Sequence, residues 1–198
     1  VKYSLSADLA RTELLKFDPA EVARRSGGLY DSGLNRVILR VGDQQASFDF
    51  GTGELIWTGP RRIDSEAAVP VLHYLLQATG SPPGGDFRPY RDLWGAKAQS
   101  GPFIVRPEAR LAAAYGANPG AVLARARALG AEVSEQPSGD ARIELSLLPR
   151  IPLAVLAYAA DEDFPAEAKI LFDAVVSEYL PTEDSIWLAE QLAEWLSE

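Results

Sequence analysis

The chain has 198 residues, 47% of them apolar and 24% charged, with a formal charge of −9. That is the composition of an ordinary globular protein, long enough to bury one sizeable core. It contains no Cys, which excludes disulfides, thiolate metal sites, iron–sulfur ligation by this chain and cysteine nucleophiles.

The elements are taken in chain order. Residues Ala7 to Ser26 read as helical, with Leu9, Leu14, Leu15 and Val22 as apolar positions. Asp18-Pro19 looks like an N-cap followed by Pro at the first helical position, and Gly27-Gly28 like a stop. Val37, Leu39 and Val41 alternate with Ile38 and Arg40, and Ala46, Phe48 and Phe50 with Ser47 and Asp49; Glu54 to Trp57 make a third short strand. The turns between them, Gly42-Asp43 and Gly51-Thr52-Gly53, imply an antiparallel meander. A helix from Ser65 through Ala78 follows, capped by Ser65 with Glu66 in its first turn, and it carries the one histidine, His73. A lone His without a Cys partner is read as structural or merely exposed.

Gly80 to Gly85 is a breaker-rich connection within one domain. Two Ala-rich helices are predicted at Pro107–Tyr115 and Pro119–Leu129, ended by Gly116 and Gly130. Ile143, Leu145 and Leu147 alternate on a strand. Pro149 and Pro152 bracket Arg150-Ile151 and break the ladder, and Leu153 to Ala159 then reads as a central strand buried on both faces. Asp163 or a neighbour caps a helix with Pro165 in its first turn and Ile170, Leu171, Ala174 and Val175 as its stripe. Thr182 caps a last helix whose face is Leu188, Leu192, Trp195 and Leu196. The reading is a single α+β domain over residues 1–198. A mostly antiparallel sheet, shared by strands from 34–57 and 131–160, carries helices packed on it.

Candidate site residues come from three places. The first is the loop Asp86 to Gly95, where Tyr90, Arg91 and Trp94 offer aromatic walls and a guanidinium fork for a small anionic or ring-bearing ligand. The alternative is that its aromatics plug a core edge and its arginines pair with nearby acids. The second is the acidic run Asp161-Glu162-Asp163 after the central strand, a place for functional carboxylates, oxygen ligands of Mg²⁺ or Ca²⁺, or a general acid–base pair. Capping by Asp163 and plain solvation explain the same residues, and no metal ligand is assigned. The third is Arg150, held between prolines, which either forms an ion pair with Asp161 or Asp173 or binds an anion. The spacings of a serine-hydrolase elbow, a phosphate-binding loop, a zinc site and a dinucleotide fingerprint are all missing.

Several stretches together resemble the DUF3786 family, a domain of unknown function found mainly in anaerobic bacteria and archaea. They are Leu148-Pro149-Arg150-Ile151-Pro152, Asp161-Glu162-Asp163-Phe164-Pro165-Ala166, Leu171-Phe172-Asp173 and Tyr179-Leu180-Pro181. Asp18-Pro19, Gly27 to Asp31, Leu72 to Leu76 and Tyr90 to Leu93 are similar in the same order, so the resemblance spans nearly the whole chain. It gives no catalytic residues to carry over and does not identify a cofactor. Some members are joined to iron–sulfur segments of the corrinoid-protein type, which this chain cannot ligate itself.

The function expected is therefore a cytoplasmic accessory or ligand-binding protein, more a binder than an enzyme, tied to anaerobic one-carbon, corrinoid or cofactor metabolism. The rivals are an enzyme using the acidic junction and the Arg–aromatic loop, and an interaction module docking a protein partner on an acidic C-terminal face. No run of about 18 apolar residues exists, so no membrane span is expected. Val1 is not followed by a basic and then an apolar segment, so no secretory signal is expected.

Charge decides one further class. Residues 161–198 hold eleven Asp or Glu and one Lys, a local charge of −10, which opposes a phosphate backbone. Duplex DNA is expected not to bind measurably at physiological salt; a salt-dependent gel shift at micromolar protein would contradict this.

Overall fold

The strands fall into two antiparallel sheets rather than one. The computed structural model describes residues 2–60, 68–93, 95 and 101–198. The first sheet contains β1 (Leu29–Asp31), β2 (Arg36–Val41), β3 (Gln44–Asp49) and β4 (Leu55–Thr58), in the order β1-β2-β3-β4. The second contains β5 (Phe87–Pro89), β6 (Glu132–Glu135), β7 (Ala141–Leu148), β8 (Ile151–Tyr158) and β9 (Glu167–Asp173), in the order β5-β9-β8-β7-β6. The fold is α+β as expected, but the expectation that 34–57 and 131–160 share one sheet is corrected. Two compact units hold one sheet each: Val1–Pro83 with Leu148–Ile151 and Val175–Ser185, and Gly84–Leu147 with Pro152–Ala174 and Ile186–Glu198. Each sheet buries its apolar face under helices of its own unit.

In the first unit the helices are α1 (Lys2–Leu14), α2 (Pro19–Ser26) and α3 (Ala68–Gln77). The predicted single stretch 7–26 is thus two helices, broken where Asp18 begins a new cap. The Asp18 carboxylate accepts the Glu21 N–H at 3.3 Å, Pro19 supplies a preset φ, and Gly27 closes α2 at φ 71°. Val37, Leu39 and Val41 of β2 are buried, and Val37 and Leu39 stand opposite Phe48 and Ala46 of β3. Helix α2 packs on this face through Val22 and Ala23. Gly28 lets it approach: a Cβ there would lie 2.9 Å from the Ile38 carbonyl oxygen. The predicted cap of α3, Ser65 with Glu66, lies outside the described residues.

In the second unit α4 (Gly101–Ala117) and α5 (Pro119–Ala128) replace the two short helices. Pro107 is interior to α4 and buried instead of opening it. Gly116 does not stop the helix; a Cβ there would lie 2.9 Å from that of Ala166, so its role is close packing. Asn118 caps α5, accepting the Ala121 N–H at 3.0 Å, and Gly130 at φ 86° follows its end as predicted.

The largest correction concerns 165–175. No helix follows Pro165. Residues Glu167–Asp173 are β9, with Ala168, Ile170 and Phe172 buried and Lys169 exposed, a period of two. Ile170, Leu171, Ala174 and Val175 fit one helical face equally well, and a run this short does not separate the two periods. Only the tail, Ala174–Glu178, is helical, as a 3₁₀ turn. The last helix, α6 (Thr182–Ser197), buries Leu188, Leu192, Trp195 and Leu196 as expected.

Strand β8 is central, as predicted, between β7 and β9. Pro149-Arg150 does not break the ladder but makes the two-residue turn of the β7–β8 hairpin. Where the short β5 no longer covers β9, α4 does: the Glu108 carboxylate accepts the Ile170 N–H at 3.0 Å, and burial holds that carboxyl above the usual carboxylate range.

Along β8 the face of Leu153, Val155 and Ala157 is buried throughout. On the other face only Ala154 is buried, Pro152 and Leu156 are half-buried and Tyr158 is exposed, so burial on both faces holds only around Ala154. Leu153, opposite Phe172, is the deeper probe of this core. Leu153→Ala is expected to cost about 2–5 kcal/mol in urea titration through lost burial and a residual cavity. Leu156→Ala should cost clearly less; equal losses would show that the core is misplaced.

Candidate functional site

The acids after β8 sit in the exposed β8–β9 loop. The Asp161 side chain accepts the N–H groups of Asp163 and Phe164, each at 2.8 Å, and its own N–H reaches the Phe164 carbonyl at 3.0 Å. Asp161 thus organises a turn, and Asp163 projects into solvent. Among the described residues no group of three or more His, Asp or Glu side chains is placed to hold a metal ion.

The 86–95 segment is split. Tyr90 is buried with its ring tilted against Phe172, centroids 6.0 Å apart. Buried Asp173 accepts the Gly85 N–H at 2.6 Å. They brace opposite ends of the short β5–β9 pairing, where Phe87 faces Asp173 and Pro89, next to Tyr90, faces Leu171. Arg91 is 84% exposed, 3.8 Å from Asp92. Trp94 lies outside the described residues. Another feature of this unit is an open cleft of about 390 Å³ between α4 and α6, lined by Arg106 and Arg110 against Glu190 and Glu194. Arg106 stands 3.7 Å from Glu190, so the C-terminal acids are partly matched there.

Arg150 belongs to the first unit, at the tip of the β7–β8 hairpin, whereas Asp161 and Asp173, its expected partners, belong to the second. Its backbone N–H donates to the Tyr74 hydroxyl at 3.1 Å, which donates in turn to the Ser26 carbonyl at 2.6 Å. The Tyr74 ring stacks on Tyr179, centroids 5.5 Å apart, and the Tyr179 hydroxyl donates to the Ser81 carbonyl at 2.5 Å. Burial pushes both phenols above their ordinary value. Gly27 lies alongside: a Cβ there would be 3.1 Å from both Arg150 Nε and Pro149 Cβ.

Among the described residues the Arg150 Nε is buried and has no hydrogen-bond partner. Arg11 and Arg25 also have a buried Nε without a hydrogen bond, but Asp8 and Glu21 stand 3.5 Å from them. Arg150 has no such carboxylate among the described residues. The rigidity of this stretch is legible from its prolines, but the hairpin turn is not, and neither is the absence of a carboxylate partner among the described residues.

His73 is met by side chains from two distant parts of the same unit. Its Nδ1 lies 2.5 Å from Asp184 Oδ2, and its Nε2 lies 3.4 Å from Ser6 Oγ. Nothing in the local sequence signals this, because the partners are 111 and 67 residues away.

Residues 18–195 match the family described as a domain of unknown function, DUF3786. The chain belongs to that family. No curated protein and no solved structure matches it. His73, Tyr74, Arg150, Tyr179 and Asp184 all lie in the DUF3786 stretch, and Ser6 precedes it. Among the described residues no helix is long and apolar enough to cross a membrane.

In this DUF3786 domain the Tyr74 hydroxyl satisfies one buried and one part-buried backbone group, so Tyr74→Phe is expected to cost about 1–3 kcal/mol at neutral pH. The sign with pH follows from the raised phenol. Above about pH 10 the unfolded chain releases the Tyr74 proton while the folded chain retains it, so the wild type loses stability as pH rises. Urea midpoints should therefore differ most near neutrality and converge in alkali; a gap that widens would refute the assignment.

Proposed function

We propose that this DUF3786 domain is a cytoplasmic accessory protein that binds a small anionic ligand at Arg150, in the setting of anaerobic one-carbon, corrinoid or cofactor metabolism. The observation that carries the reading is the guanidinium itself. Its Nε is buried without a partner, its main chain is fixed on Tyr74, and no carboxylate neutralises it among the described residues. A buried unsatisfied donor calls for a group to meet it, and a guanidinium fork suits a carboxylate or phosphate. The turn gives preorganisation, since Pro149 limits the backbone and Gly27 leaves room beside the Nε.

Of the other candidate residues, Tyr90, Asp161 and Asp173 serve local structure, while Arg91 and Asp163 face solvent. Arg150 remains as the anchor.

Thermal melts in phosphate, sulfate or citrate, against chloride at equal ionic strength, test this. A ligand at tenfold its dissociation constant adds about 1.4 kcal/mol, or about 3–6 °C for a protein of this size. That rise is expected for the wild type, reduced in Arg150→Lys, which keeps the charge without the fork, and lost in Arg150→Gln. Identical responses in all three proteins, or none in the wild type, would overturn the reading.

A further inference from the structure

We propose that Ser6, His73 and Asp184 form a nucleophile, base and orienting carboxylate able to hydrolyse small esters with an apolar acyl group. The three residues come from α1, α3 and the first turn of α6, so the arrangement is tertiary. Asp184 is fixed by its backbone N–H on the Pro181 carbonyl at 3.0 Å, and its Oδ2 stands 2.5 Å from His73 Nδ1. A proton on Nδ1 shared with that carboxylate leaves Nε2 free to accept from Ser6 Oγ, the tautomer a general base needs.

The Oγ–Nε2 distance of 3.4 Å is long for a hydrogen bond, but free enzymes commonly hold this contact loosely until substrate closes it. The His73 and Asp184 side chains are only 19% and 16% exposed, whereas Ser6 is half-buried and reachable. Beside it on α1, Leu5 and Leu9 are 62% and 61% exposed and offer an apolar strip for an acyl chain.

The chemistry needs only water. Ser6 Oγ attacks the ester carbonyl carbon as its proton passes to Nε2. The carbon–oxygen bond to the leaving group breaks, and the alcohol departs with that proton. Water then attacks the acyl-serine, giving a proton to Nε2; the carboxylic acid leaves, and the proton returns to Ser6 Oγ. Arg150 takes no part, so this inference stands or falls apart from anion binding.

A fluorophosphonate probe with peptide mass spectrometry, alongside p-nitrophenyl butyrate hydrolysis, tests the proposal. The expected result is one adduct on Ser6 and ester turnover, both lost in Ser6→Ala and reduced about 10²–10⁴-fold in His73→Gln. Asp184→Asn should lower both as well, and it carries the same reading if His73→Gln does not fold; melting curves verify each variant. No adduct under conditions that fully label a reference serine esterase would overturn the proposal. So would an adduct elsewhere, or labelling that folded His73 and Asp184 variants leave unchanged.

Discussion

One phenol hydroxyl ties three pieces of the first unit together. Tyr74, from α3, donates to the last carbonyl of α2 and accepts the N–H of the hairpin turn at Arg150. Both backbone groups are local ends: a helix C-terminus has carbonyls without intrahelical partners, and a two-residue turn leaves N–H groups off the ladder. One buried hydroxyl meets both, and stacking on Tyr179 fixes the ring that carries it. The position of Arg150 depends on that arrangement. Its main chain is held by Tyr74 while its side chain lies against Gly27, so both ends of the residue are constrained.

The same economy explains the residues that drew attention in the sequence without forming a site. A carboxylate is the strongest acceptor available to stranded backbone N–H groups. Asp161 serves the β8–β9 loop, Asp173 the approach to β5, Glu108 the edge of β9, and Asp49 the turn after β3. Asp49 also accepts from Arg36 at 2.9 Å, which holds its carboxyl below the usual range. An acidic run after a central strand looks like chemistry until the turn's own hydrogen bonds are followed.

What could be read in advance divides by range. Asp18-Pro19 and Gly27 act within one helix, and the meander from Val37 to Trp57 pairs neighbours, so local pattern sufficed. The run 167–173 was misread because its apolar spacing satisfies both periods, and only the register opposite β8 decides for strand. Helix α4 was cut short at Pro107 because a proline ordinarily opens a helix; here its ring is buried in the interior of one. The single-sheet expectation failed because pattern shows that a face must be covered but not which element covers it. His73 with Asp184 and Ser6, and Arg150 without a carboxylate among the described residues, are facts of tertiary distance that one chain read in order does not contain.

As proposed, Arg150 is held ready for an anion, since among the described residues no carboxylate neutralises it. Native mass spectrometry of the wild type and of Arg150→Gln, each purified from the chain's own host and matched for folded content, tests it most directly. The account predicts a small anionic species that remains with the wild type and is missing from the variant. Identical spectra for the two proteins would contradict it.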